Sequence, residues 1–169
     1  MTLKKTLANA AERLQAIRAV FLDVDGVMTD GGLFYNEKGE SLKRFHVHDG
    51  QGIQSLRNQG LIVGIISGRS HPAVSQRAQE LGIDPVFQGI HNKLRCLQDW
   101  AQAASIRLSE IAFMGDDLAD LPVLQSVGFA AGVPNALRQV QQVSHWISEQ
   151  AGGHGAVRCL ADLFKEYRQ

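Results

Sequence analysis

Apolar residues fall in short uninterrupted blocks along this chain, and most blocks run straight into glycine, serine or aspartate. Ala19–Asp23, Leu61–Ile66, Ile111–Met114 and Gly128–Ala131 lack polar alternation, the pattern of strands buried on both faces of a parallel sheet. Pro85–Phe87 reads as a further short strand. Helical patterns separate the blocks: Leu3–Ile17, Gln51–Asn58, Pro72–Leu81 with proline in its first turn, Lys93–Ala104 capped by Asn92, Leu118–Gln125, Asn135–Val140 and Gly155–Tyr167. Strands alternating with crossover helices predict an α/β fold, a parallel sheet with helices on both faces. One segment breaks the rhythm. Leu33-Phe34-Tyr35, the loop Asn36-Glu37-Lys38-Gly39 and Ser41–Val47 predict a β-hairpin.

The chain has 169 residues and no repeat or low-complexity linker, so one domain spanning 1–169 is expected, with a hairpin flap at about 31–47. Lys plus Arg and Asp plus Glu are both 17, with no basic stretch, which speaks against nucleic-acid or anionic-membrane partners. No apolar run approaches the ~20 residues that span a bilayer. Asn9, Glu12 and Arg13 interrupt any signal-peptide core. Cys96 and Cys159 form neither a disulfide framework nor a zinc pattern. A cytoplasmic protein is expected.

Candidate chemistry sits where the buried strands end. Asp23 and Asp25 close the first, with Gly26 allowing a sharp turn, and acids at i and i+2 can point into one small volume. Such a pair repels itself unless a cation or a shared proton intervenes. Ser67-Gly68-Arg69 ends the second block, where a hydroxyl, a glycine amide and a guanidinium can cradle an oxyanion. Taken alone, that tripeptide reads more simply as a plain turn. Gly115-Asp116-Asp117 ends the Ile111–Met114 block, with Asp120 one turn later. N-capping explains one of these three aspartates and leaves two. Lys93 opens a helix, where the dipole disfavours a cation. Asp23, Asp25 and Asp116 supply hard oxygen donors without histidine or thiolate, a composition that favours Mg²⁺ over zinc.

The ordered set D-x-D-G, S-G-R, Lys93 and G-D-D-x-x-D resembles the haloacid dehalogenase superfamily of phosphatases over nearly the whole chain. That resemblance implies a three-layer, Rossmann-like sheet. It also implies that Asp23 is a nucleophile forming an aspartyl-phosphate and that Asp25 protonates the leaving alkoxide, then activates water. The Asp23 and Asp116 carboxylates, with the Asp25 main-chain carbonyl, would hold Mg²⁺. Ser67 and Gly68 would bind phosphoryl oxygens, and Lys93 would pair with Asp23 and the transferring group. Asp117 and Asp120 would support these groups rather than ligate.

Superfamily members usually select substrates with an inserted cap domain. Here the hairpin and one helix fill the stretch between Asp25 and Ser67, and a helix and a strand fill that between Ser67 and Lys93. No cap is expected. Within the superfamily, Asp23–Asp30, Phe45–Ile53, Phe87–Gly89, Asn92–Leu94, Gly115–Leu118 and Gly152–Arg158 resemble the 3-deoxy-D-manno-octulosonate 8-phosphate phosphatase family of lipopolysaccharide precursor biosynthesis. The resemblance implies a homotetramer whose apolar hairpins pack together and reach over neighbouring sites. Arg69, and Arg77 from the neighbour, would then suit a sugar acid carrying carboxylate and phosphate. The alternative for the hairpin is folding back on its own domain. Cys159 stands where the family usually has glutamate, and a chain ending at Gln169 is expected not to fold a tail over an adjacent site. His46 and His48 would share one face of a strand, in flap or substrate-side packing rather than metal ligation. Two rival readings remain: a phosphatase of a related nonulosonate 9-phosphate, and a non-catalytic oligomerisation module.

Overall fold

The computed structural model describes residues 12–168. Its main sheet has six strands in the order β5-β4-β1-β6-β7-β8, every pairing parallel. The strands are β1 (Ala19–Leu22), β4 (Ile62–Ile66), β5 (Val86–Phe87), β6 (Ile111–Met114), β7 (Phe129–Gly132) and β8 (Trp146–Ile147). A separate two-stranded hairpin comprises β2 (Phe34–Asn36) and β3 (Gly39–Leu42). The helices are α1 (described over residues 12–16), α2 (Val47–Asn58), α3 (Pro72–Leu81), α4 (Lys93–Ala103), α5 (Leu121–Leu124), α6 (Arg138–Val143) and α7 (Ala156–Tyr167). Residues 3–11 of the expected first helix lie outside the described residues. The predicted α/β fold with a parallel sheet is the one observed.

Register explains why the strands are apolar throughout. Phe21 on β1 is level with Phe113 on β6, and Phe113 is level with Ala130 on β7, so Phe129 points to the opposite face. Phe21 meets Trp100 of α4 at 4.6 Å between ring centroids, and Phe129 meets Phe164 of α7 at 6.3 Å. Helices therefore cover both faces. All residues of β1, β6 and β7 are buried. Among the described residues no helix is long and apolar enough to cross a membrane.

The structure corrects several boundaries. β3 ends at Leu42, short of the expected Ser41–Val47, and α2 begins at Val47. His46 and His48 consequently do not share a strand face: His46 precedes α2 and His48 lies in its first turn, their rings edge-on at 5.1 Å. Leu118–Gln125 divides into a tight turn, Leu118–Asp120, and α5, whose second residue is Pro122. The expected Asn135–Val140 helix begins instead at Arg138 and runs to Val143. Asn135 is left free for another task. β8 is an added edge strand that its two-residue length concealed.

Candidate active site

The carboxyl ends of β1, β4 and β6, with the first residue of α4, converge on one cleft, as parallel sheets place ligand sites. It has a volume of about 160 Å³ and is lined by Asp23, Asp25, Ser67, Gly68, Arg69, Lys93, Asp117 and Ala119. Asp23 and Asp25 flank the start of a wide turn, Val24–Met28, closed by Thr29 N–H donating to the Val24 carbonyl at 3.0 Å. Gly26 sits in that turn at φ +90°. A Cβ there would collide with Asp116 Oδ2, so a side chain at this position would be strained and would displace Asp116.

Asp116 and Asp120 arrive from the β6 end. Ligand oxygens of Asp23, Asp116 and Asp120 lie within 4.8 Å of one another. Asp120, fully buried, is already engaged: Oδ1 accepts from Lys93 Nζ at 2.7 Å, and Oδ2 accepts from the Asp116 and Asp117 amides at 3.0 and 3.2 Å. Lys93 Nζ also lies 2.9 Å from Asp23 Oδ1. Asp117 caps the turn at Leu118–Asp120, its Oδ1 accepting from Leu118 N at 2.7 Å. Asp116 Oδ1, in contrast, is buried with no hydrogen-bond partner among the described residues.

The electrostatics call for a cation. Burial, then the Asp120 charge, push the Asp23 carboxyl up to about 6 against the pull of Lys93. Burial, then Asp23, Asp120 and Asp117, push Asp116 up to about 8. Burial works against the Lys93 charge, but Asp23 and Asp120 outweigh it and hold the ammonium above its ordinary range. Four carboxylates thus face Lys93, Arg69 and Lys43, with two buried oxygens, Asp25 Oδ2 and Asp116 Oδ1, accepting no hydrogen bond among the described residues. A hard divalent cation on Asp23 and Asp116 fits this donor set.

Opposite the acids, Ser67 is buried and its Oγ accepts from Arg69 N at 3.3 Å. Arg69 Nε stands 3.8 Å from Asp25 Oδ2 and its Nη2 donates to the Tyr35 hydroxyl at 3.3 Å. Nine of the ten expected site residues therefore gather at or beside the cleft. Arg77 does not: it lies on α3, paired with Glu80 at 3.1 Å.

A family model for haloacid dehalogenase-like hydrolases matches residues 86–160. The 3-deoxy-D-manno-octulosonate 8-phosphate phosphatase of Escherichia coli K12 is 38% identical over 156 residues, covering 92% of this chain and 83% of that protein. The chain belongs to this family of haloacid dehalogenase-like hydrolases. Among solved structures, the Moraxella catarrhalis 3-deoxy-D-manno-octulosonate 8-phosphate phosphatase, in complex with magnesium, phosphate and KDO, has a TM-score of 0.93. It is 38% identical, with coverage of 99% of this chain and 94% of that one. The cobalt-bound Haemophilus influenzae phosphatase superposes with a TM-score of 0.89 at 35% identity, covering 92% and 91% of the two chains.

In this haloacid dehalogenase-like chain, sequence reasoning missed three supporting residues. Lys43, just after β3, places Nζ 2.6 Å from Asp25 Oδ1. Asn135 donates from Nδ2 to the Gly26 carbonyl at 3.0 Å and accepts at Oδ1 from Gly152 N at 2.8 Å. Asp49, buried in α2, accepts from the Gly155 and Arg158 amides, and burial raises its carboxyl. Asn135 thereby ties the Gly152–Gly155 loop to the Val24–Met28 turn, Asp49 ties the same loop to α2, and Lys43 ties the hairpin to Asp25. A lysine in a hairpin and an asparagine in a turn carry no local signal of such contacts.

Proposed function

We propose that this protein hydrolyses 3-deoxy-D-manno-octulosonate 8-phosphate to the sugar acid and phosphate, in lipopolysaccharide precursor biosynthesis, with Mg²⁺ in the cleft. The observation that carries the chemistry is Asp23 at the carboxyl end of β1, tied to Lys93, clustered with Asp116, and lining one cleft with Ser67. The substrate rests on the family to which the chain belongs. The Asp23 and Asp116 carboxylates and the Asp25 carbonyl would hold Mg²⁺, which would supply positive charge against the transferring phosphoryl group.

Asp23 attacks phosphorus while the P–O bond to the sugar breaks, and Asp25 gives its proton to the departing oxygen. Water then attacks the aspartyl-phosphate, its proton passes to Asp25, and the bond to Asp23 breaks to release inorganic phosphate. Lys93 orients Asp23 through the ion pair, with Asp120 holding the lysine. Asp117 fixes the turn beneath them. Ser67 and the Gly68 amide take phosphoryl oxygens, and Arg69 takes anionic charge. Charges packed in this way have no use in a pure oligomerisation module.

The active unit on this reading is a cytoplasmic homotetramer of single-domain 1–169 chains, with Arg77 presented to a neighbouring site. Its support is the hairpin, where Leu33, Phe34, Tyr35 and Leu42 are exposed together, an apolar face of the kind that self-association covers. Phosphate release with a panel of eight- and nine-carbon keto-acid phosphates tests the assignment. Asp23→Asn is expected to abolish Mg²⁺-dependent release; a retained rate overturns the nucleophile. Preference for the nine-carbon compound overturns the substrate.

A further inference from the structure

The hairpin turns back on the cleft of its own chain. Its return strand delivers Lys43, whose side chain is 2% exposed, to Asp25. The two oxygens of Asp25 are thereby made unequal. Oδ1 lies 2.6 Å from Lys43 Nζ, while Oδ2 is buried with no hydrogen-bond partner among the described residues and stands 3.8 Å from Arg69 Nε. A carboxylate on a wide turn has free rotation about its side-chain torsions unless something holds it. No backbone amide among the described residues does so here, which leaves Lys43 as its short contact.

We propose that Lys43 is a positioning residue for the phosphatase reaction: it holds Asp25 by Oδ1, so that Oδ2 is the oxygen that carries the proton to the leaving group. The inference rests on the acid–base role assigned to Asp25 above and extends it to a residue outside the strand-end motifs. It also gives the hairpin a function within its own subunit, since the position of β3 fixes the position of the acid. The buried ammonium itself touches the acid, not the phosphorus.

The test is a leaving-group series. Aryl phosphates from phenyl to p-nitrophenyl share the aryl phosphate core and lack a carboxylate, but differ in how much their departing oxygen needs a proton. The quantity is kcat/KM, which covers steps only through departure of the alcohol. Wild type is expected to show shallow dependence on leaving-group pKa, and Asp25→Asn a steep one. Lys43→Met is expected to steepen the dependence towards that of Asp25→Asn, with phenyl phosphate losing roughly tenfold more than p-nitrophenyl phosphate, a part of the usual general-acid contribution. Lys43→Arg should recover most of the loss. Equal losses across the series, or none, with folding intact by thermal unfolding, overturn the role of Lys43 and leave the phosphatase reading standing. If instead Asp25→Asn leaves the dependence unchanged, the acid assignment itself fails.

Discussion

Replacing Asp120 by asparagine should be costly for a residue that touches no substrate. Asp120 is fully buried and satisfies three donors: Lys93 Nζ at 2.7 Å and the amides of Asp116 and Asp117. An asparagine carbonyl can keep the two amides, but its NH₂ group then faces the Lys93 ammonium, donor against donor. Breaking a buried ion pair costs about 3–5 kcal/mol when the remaining charge has no other partner. Lys93 retains Asp23 at 2.9 Å, and the Asp23–Asp120 repulsion disappears, so a cost below that range is expected, about 2 kcal/mol, near that of one charge-assisted hydrogen bond. For a chain of this size that is roughly 4–8 °C in Tm. Asp120→Ala also strands both amides and should cost about 2 kcal/mol more, at about 1 kcal/mol per amide. Calorimetry on the wild type and both variants checks the order. Equal Tm values for all three, or a more stable asparagine variant, would refute the view that Asp120 anchors Lys93.

Metal-free protein should lose stability as pH rises from 4 to 8. Asp23 and Asp116 are raised from 3.8 to about 6 and about 8, so the folded chain binds more protons than the unfolded one. Their contribution is complete below about 3.8 and fades as pH passes each folded value, so Tm in chelator should fall over that window. Mg²⁺ at a hundredfold excess over Kd stabilises by about 2.7 kcal/mol, and at one fixed Mg²⁺ concentration it should raise Tm more at pH 8 than at pH 5; a pH-independent increment would count against Asp116 as ligand. Gly26→Ala, at φ +90° against Asp116 Oδ2, should lower Tm by the equivalent of at least ~1 kcal/mol and weaken that Mg²⁺ shift. Phe34→Asp should lower the mass measured by light scattering, and an unchanged mass would remove the hairpin from the subunit interface.

Strand ends were the legible part of this protein. Ala19–Leu22, Ile62–Ile66 and Ile111–Met114 are apolar on both faces because helices cover both sides of the sheet. Parallel strands end on one edge, so sequence order alone placed Asp23, Ser67 and Asp116 near one another. Short elements were poorly legible. β8 has two residues and β3 four, too few for a period to emerge. The histidine pair was misplaced for the same reason: nothing local separates the end of a strand from the cap of a helix at His46.

By itself, then, the sequence determined the α/β class, the buried strands and the acids, serine and lysine at their ends, because hydrophobic period and strand direction are local properties. Tertiary structure alone decided which oxygen meets which cation. Asp120 became the anchor of Lys93 and not a free ligand, Asp116 kept an unclaimed oxygen, and Lys43 reached Asp25 across 18 positions. Those outcomes depend on angstrom-scale distances between segments remote in sequence, where a shift of one hydrogen-bond length changes a partner, and no local pattern encodes them.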